Sequence, residues 1–407
     1  MLKKIFSSEL GRGAFILFIT INIFNLFNFL FHFSMGRLLG PSNYGILAVL
    51  MSLIYIYNIP SEAIQNIISR YTSKFNVKKE YGKIKTLMFE GLFKGITASV
   101  LAFFLLVALS IFLSPFLGIN FWLLFLTDIF IFFSILLPIV RGTLQGRKKF
   151  SLLGTSMILE SGFKLFFAVS AVIIGLKVFG AIIGVLLGIL FAFIFSFYFN
   201  KDILKSKKQE TSFKEIYPKS IPYFTTMFVI FLIFSLDIIL AKRFFSPELA
   251  GKYAVLSMLG KMFFFGTVAI SKAMFPLTSE KHDSKKDSKK LFKKSFLIVS
   301  SFCLIGIIIY GLLPEIIIGV LYGAQYLEMS PYLIYSGLAF SFLSLSNLIL
   351  IYGLSTNKLK NFSYLNIFLI LEITLLFLFH KSILEYTLAF MVSNIIIFIC
   401  SFFFIKK

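Results

Sequence analysis

Asp128, Glu160, Lys164, Lys261 and Glu372 each stand about eight or more residues inside stretches that are otherwise apolar. A charge at the centre of a helix in lipid costs roughly 2.5–3.5 kcal/mol on insertion scales, so each is expected to face a partner, a hydrated cavity or an ionic cargo. Lys261 is the clearest case. About ten residues, or roughly 15 Å at helical rise, separate it from either surface, farther than a lysine stem can snorkel. An ammonium at that depth is suited to an anion. Carboxylates are suited to carrying a proton or holding a small cation. Glu160 and Lys164 are four apart in the favoured Glu-then-Lys order; a neutralised intrahelical pair and two separate sites both fit. Leu376 occupies the position where Glu372 would find such a local partner. Its partner must therefore come from another helix, and Lys261 is a candidate.

Two polar stripes accompany these charges. Asn25, Asn28 and His32 recur at three- and four-residue spacing, which places them on one helix face. Asn58, Glu62, Gln65 or Asn66, and Ser69 form a second stripe beside Pro60, a candidate bending point. Either stripe can be hydrogen-bonding glue between helices or the wall of a hydrated cavity. The three histidines, His32, His282 and His380, lack metal-ligand spacing, so no metal is expected. Cys303 and Cys400 lie in apolar stretches and read as packing residues. The sequence carries no nucleophile elbow, P-loop or Gly-rich dinucleotide motif, so neither a cofactor nor catalysis is expected.

The elements that must position these residues are long. The chain is 58% hydrophobic, and Phe-, Ile- and Leu-rich runs of about 20 residues recur from Gly13 to Phe404. Each is long enough to cross a hydrocarbon core of about 30 Å. The pattern predicts an all-α polytopic membrane protein with spans near 13–35, 44–66, 89–113, 119–140, 153–175, 179–199, 222–241, 252–274, 295–318, 331–352, 363–380 and 383–404. With the N-terminus cytoplasmic, the inner segments hold Lys3, Lys4 and Arg12, then the Arg70–Lys85, Arg141–Lys149, Lys201–Lys219 and Lys272–Lys294 stretches, then Lys358, Lys360, Lys406 and Lys407. The outer segments hold Arg37, Lys177, Lys242, Arg243, Lys252 and Lys381. This asymmetry predicts cytoplasmic N- and C-termini by the positive-inside rule. It also accounts for the net charge of +22 without nucleic acid, since short basic loops suit anionic lipid headgroups. No connection is long enough for an ATPase or for an external catalytic domain.

The chain is also duplicated. Arg37, Pro41, Gly45, Ala48, Val49 and Leu50 recur as Arg243, Pro247, Gly251, Ala254, Val255 and Leu256, a constant offset of 206. Thr72-Ser73 recurs as Thr278-Ser279. Lys148, Phe150 and Ser151 match Lys360, Phe362 and Ser363 at an offset of 212, a register that also pairs Leu159-Glu160 with Leu371-Glu372. Such repeats mark duplicated architectures. Six spans per half give both halves the same topology, with lobes expected at residues 1–205 and 206–407.

RLLGPSNYG at Arg37–Gly45 and RGTLQGRKKF at Arg141–Phe150 resemble the polysaccharide transporter, or O-antigen flippase, family of the multidrug/oligosaccharidyl-lipid/polysaccharide superfamily. DIILAKRFFSPELAGKY at Asp237–Tyr253 and FPLTSE at Phe275–Glu280 are similar to it as well. The resemblance implies two parallel six-helix lobes facing across a central cavity, in the manner of multidrug and toxic compound extrusion (MATE) transporters, and alternating access. The implied cargo is a polyprenyl-diphosphate-linked oligosaccharide moved to the outer leaflet of the cell membrane, in the company of membrane lipids and glycan-assembly machinery. Lys261, Lys164, Arg37 and Arg243 are then candidates to meet the diphosphate. Glu160, Glu372, Asp128 and Glu62 are candidates for coupling to Na⁺ or H⁺ or for gating. Asn25, Asn28 and His32 would supply cavity polarity. A cation-coupled exporter of small molecules on the same fold is the alternative.

Overall fold

A computed structural model describes residues 9–207, 209, 221–284, 287–356 and 363–404. The described residues form helices and short connections, with no strand among them. In chain order the helices are α1 (Glu9–Tyr57), α2 (Ile59–Val77), α3 (Tyr81–Leu117), α4 (Phe121–Asp128), α5 (Phe130–Gly146), α6 (Phe150–Ala171), α7 (Lys177–Tyr198) and α8 (Lys201–Leu204). They continue with α9 (Ile221–Phe244), α10 (Pro247–Asp283), α11 (Lys289–Leu312), α12 (Pro314–Leu321), α13 (Leu333–Ser355), α14 (Ser363–Leu378) and α15 (Ile383–Phe404).

Nine stretches of the described residues are long and apolar enough to cross a membrane. Two of them are double. Phe15–Val77 is interrupted at Gly40, whose φ of 70° and ψ of 170° are not helical; Pro41 then restarts the helix, with its fixed φ suited to a first turn. Phe150–Tyr198 turns through the π-helical segment Val172–Leu176, where Gly175 and Lys177 take positive φ. With the shorter apolar helix Leu365–Leu378, these stretches supply the twelve crossing segments expected from the sequence. Beyond their charged first turns, α3 past Lys94 and α11 past Lys294 are apolar on every side and largely unburied within the chain: Leu101, Leu105, Phe112, Leu297, Leu304 and Leu312 are all exposed. Such helices require lipid. The protein is a multi-pass membrane protein.

Several helices run past the predicted spans. α2 continues to Val77 and α5 to Gly146, so the loops expected to start at Arg70 and Arg141 shrink to the turns Lys78–Glu80 and Arg147–Lys149. Arg141, read as a loop cation, is a buried helical residue. Glycines explain the extension. Gly142 and Gly146 of α5 press against the backbone of Gln65 and Ser69 in α2, leaving no room for a Cβ. Lys3, Lys4, Lys208, Lys214, Lys219, Lys285, Lys286, Lys358, Lys360, Lys406 and Lys407 lie outside the described residues, as does the Lys360–Phe362 part of the second repeat match.

The backbone packs into two units, Met1–Leu39 with Leu53–Ser220, and Gly40–Ser52 with Ile221–Lys407. In the first unit, Gly180, Gly184 and Gly188 of α7 meet Ala171, Ala168 and Glu160 of α6 in reversed order, an antiparallel small-residue seam. The Gln65–Gly142 and Ser69–Gly146 contacts run in the same order, so α2 and α5 are parallel neighbours. In the second unit, Ser336 of α13 donates to the Leu256 carbonyl of α10 at 2.7 Å, and Phe340 packs on Gly260. These too are parallel neighbours, so the pairing of the second and fourth crossings recurs as that of the eighth and tenth. Gly40–Ser52 packs in the second unit through its repeat counterpart. Gly45 lies against Gly251, 206 residues later, and a Cβ at Gly251 would overlap the Pro41 carbonyl. Tyr44 and Tyr322 bring their hydroxyls within 3.3 Å beside this contact.

Candidate functional site

Lys164 in the first unit and Lys261 in the second are both buried deep within their spans, and the two are held differently. In the first unit Lys164, on α6, donates to the side-chain oxygen of Asn28 on α1 and lies over the Phe31 ring at 4.5 Å. It is 7% exposed. Glu160, one turn away, is committed elsewhere: it pairs with Arg141 of α5 at 2.7 Å. Arg141 also donates to Ser156 at 3.0 Å, and Ser156 and Ser196 share a hydrogen bond of 2.7 Å. The neutralised Glu160–Lys164 pair allowed by their spacing is thus replaced by an interhelical Arg141–Glu160 pair. The ammonium keeps a neutral amide and a ring face as its direct contacts, with Glu160 still within electrostatic reach.

In the second unit Lys261, on α10, is 1% exposed. Its Nζ lies 3.5 Å from the Asp237 carboxylate of α9 and 3.4 Å from the Ser52 hydroxyl. The Phe234 and Phe340 rings flank it at 4.9 and 5.9 Å. Tyr253 donates to the other Asp237 oxygen at 3.4 Å, and Tyr386 to the Asp237 backbone carbonyl at 2.6 Å. Glu372, from α14, is wholly buried within electrostatic reach of both Asp237 and Lys261. The ion-pair partner of Lys261 is Asp237 and not Glu372. Sequence reasoning passed over Asp237 because it stands only four residues from the predicted end of its span; α9 in fact runs on to Phe244.

The remaining candidates are dispersed. Asp128 is fully buried at the α4–α5 junction and accepts hydrogen bonds from Tyr57 and Ser110, both at 2.8 Å. His32 meets the Tyr55 hydroxyl at 3.2 Å. Asn25 and Glu62 are half-buried, and Arg37 and Arg243 are exposed. Gln65 reaches Gln145 at 2.8 Å, so this part of the second stripe joins α2 to α5. Asn58 and Pro60 mark the break between α1 and α2, as expected for a bending element. Lys252 is bound to Glu248 and Glu328 at 3.0 and 2.6 Å. Beyond the spans, the Arg147 guanidinium holds the Asp202 carboxyl well below the usual carboxylate range, with Lys149 adding to it. Among the described residues no group of three or more His, Cys, Asp or Glu side chains could hold a metal ion.

Residues 34–331 match the model of a family described as polysaccharide biosynthesis protein. The chain belongs to this family. No curated protein matches the sequence. Solved structures match the fold of this polysaccharide biosynthesis family member over nearly its whole length. One is a MATE family multidrug resistance transporter of the MOP superfamily in an inward-facing conformation, with a TM-score of 0.76, 13% identity, and coverage of 93% of this chain and 94% of that one. Another is the lipid II flippase MurJ in an inward closed conformation, with a TM-score of 0.71, 17% identity, and coverage of 97% and 88%. A third is the eukaryotic MATE transporter AtDTX14, with a TM-score of 0.71, 14% identity, and coverage of 97% and 95%. The polysaccharide biosynthesis chain therefore has the MATE-like fold that its motifs implied.

Proposed function

We propose that this chain is a flippase that moves a polyprenyl-diphosphate-linked oligosaccharide from the cytoplasmic to the outer leaflet of the cell membrane by alternating access. It works without catalysis and with both termini cytoplasmic. The observation that carries this reading is Lys164, a buried ammonium whose neighbouring carboxylate is taken by Arg141. A diphosphate cannot enter apolar core without compensating charge. A phosphate oxygen that displaces the Asn28 amide would gain a charge-assisted hydrogen bond, worth about 1.5–3 kcal/mol. Phe31 and Asn28 cover Lys164 in this conformation, so the anion reaches it only when α1 moves relative to α6. The Gly40 and Asn58 breaks supply places where α1 can bend. The lipid tail stays in the bilayer while the sugars cross in water. Arg37 and Arg243, both exposed, are our candidates to receive the diphosphate on the outer side.

Two acids beside one lysine in the second unit favour a second reading, a Na⁺- or H⁺-coupled exporter of small molecules. Proteoliposomes separate the two. Protein-dependent transfer of a labelled polyprenyl-diphosphate oligosaccharide between leaflets, weakened in Lys164→Ala, is the expected result. Transfer of a drug-like cation alone would replace the flippase reading with the exporter.

A further inference from the structure

The second unit holds more acid than base at its centre. Asp237 and Glu372 converge on the single ammonium of Lys261, and all three are essentially unexposed. Asp237 is equipped as an anion, with Lys261 on one oxygen and the Tyr253 hydroxyl on the other. Glu372 has no such equipment. Neither of its carboxyl oxygens accepts a hydrogen bond. Ser393 lies beside it but donates its proton to the Phe390 carbonyl at 2.8 Å, leaving that hydroxyl oxygen as an acceptor. The groups facing Glu372 are Asp237 from α9, Lys261 and Tyr253 from α10, and Tyr386 from α15. α13 presents the Phe340 ring to Lys261, and the Gly40–Ser52 segment presents Ser52. Lys261 is thus the one cation available to two carboxyls among the described residues. A second buried carboxylate with no donor of its own is strongly disfavoured. The same carboxyl in its acid form is neutral and can donate to the Ser393 hydroxyl oxygen, which keeps its own bond to the Phe390 carbonyl.

We propose that Glu372 is a proton-binding site, and that its single proton decides which carboxyl Lys261 serves. With the proton bound, Lys261 pairs with Asp237, as seen. When the O–H bond of Glu372 breaks and the proton leaves to water, the new carboxylate competes for the ammonium. Lys261 then shifts from Asp237 toward Glu372, across the interface between α9 and α14. One proton enters or leaves per exchange, and the chain's own ammonium does what a bound metal cation would otherwise do. This concerns an internal equilibrium of the second unit, so it stands or falls independently of the cargo.

Infrared spectroscopy of the purified protein at neutral pH, without cargo, tests it through the stretching band of a buried protonated carboxyl. The wild type should show that band, and Glu372→Gln should lose it. Asp237→Asn should lose it too, although Glu372 is still present, because the freed Lys261 ionises Glu372. Lys261→Met should show a stronger band, since both acids then need protons. A wild type without the band, or a band unchanged in Glu372→Gln, overturns the site. A band that survives in Asp237→Asn overturns the switch. Glu372→Gln is nearly isosteric with the protonated acid, so it folds even if the other two variants do not.

Discussion

Asn28 and Phe31 in the first unit occupy the repeat positions of Phe234 and Asp237 in the second, 206 residues later. In both units this pair of positions frames a buried ammonium with one polar group and one aromatic face. The order is swapped: amide then ring in the first unit, ring then carboxylate in the second. The lysines also come from different helices. Lys164 is on α6, where the other copy has Leu376; Lys261 is on α10, where the other copy has Tyr55. One duplicated frame has thus produced two sites of opposite character. On the proposed reading, a lysine met by an amide is left to pair with an external anion. A lysine met by a carboxylate, with a second acid nearby, is set up for internal exchange. The depth of a charge in the sequence therefore does not reveal its role; the neighbour it meets does.

The largest effect should come from breaking the second-unit pair. Asp237→Ala breaks the buried pair and drives Lys261 to its alternative partner Glu372, so the loss should approach, without exceeding, the roughly 3–5 kcal/mol of a buried charge stripped of its partner. Thermal unfolding in detergent should show this loss. Asn28→Ala, at the matching first-unit site, removes a hydrogen bond to a charged group, and about 1.5–3 kcal/mol is expected. Equal losses in the two variants would erase the distinction drawn between the sites.

A steric intrusion at the first-unit lysine should have an intermediate effect. Gly188 of α7 packs on the backbone of Glu160 and Lys164, where an added Cβ would lie 2.5 Å from the Glu160 carbonyl oxygen and 2.8 Å from the Lys164 nitrogen. Gly188→Leu should cost about 1–3 kcal/mol, in the range of overpacked cores, and should push Lys164 off Asn28. Unchanged melting together with unchanged transport would contradict the tight α6–α7 seam. Glu372→Gln should be milder, within about 0.5 kcal/mol of the parent, because the amide replaces a neutral acid. A large loss there would mean that Glu372 is ionised in the folded protein.

Much of this could be read from the sequence and some could not, for identifiable reasons. Hydropathy gives twelve crossings because each must span the same apolar thickness, and the Gly40-Pro41 and Pro60 breaks announce themselves by residue type. The deep charges Lys164, Lys261, Glu160 and Glu372 are legible as costly. Their pairing is not, because it depends on which helices are neighbours. Arg141 illustrates the point: its place among loop cations concealed a helix that runs on to Gly146 and a partner in Glu160. Asp237 was legible as part of a motif, yet it stood too near a span end to be recognised as buried. Tyr253 and Tyr386, which attend Asp237, carry no sequence signal separating them from other aromatics.

A similarly small effect lies outside the membrane, where Asp202 joins α8 to the turn before α6 through Arg147, at 2.9 Å between one pair of atoms, and through Lys149 at 3.2 Å. Its carboxyl is held below the unfolded value of about 3.9. The stability it adds is therefore fully present above that value and fades as pH falls through the folded one. The carboxylate is half exposed, so Asp202→Asn should cost no more than about 1 kcal/mol at pH 7. The difference from the parent should vanish in strong acid. A difference that grows on acidification would reverse the sign and refute the pairing.

The central claim is that the first-unit lysine, and not the second-unit one, is free to meet an anionic cargo. The most direct measurement is leaflet transfer of a labelled polyprenyl-diphosphate oligosaccharide in proteoliposomes, comparing Lys164→Ala, Lys164→Arg and the parent at matched protein density. Loss of a charge-assisted contact of about 1.5–3 kcal/mol should slow transfer by roughly 10- to 100-fold in Lys164→Ala, with partial recovery in Lys164→Arg. Transfer by Lys164→Ala at the parent's rate would contradict the account.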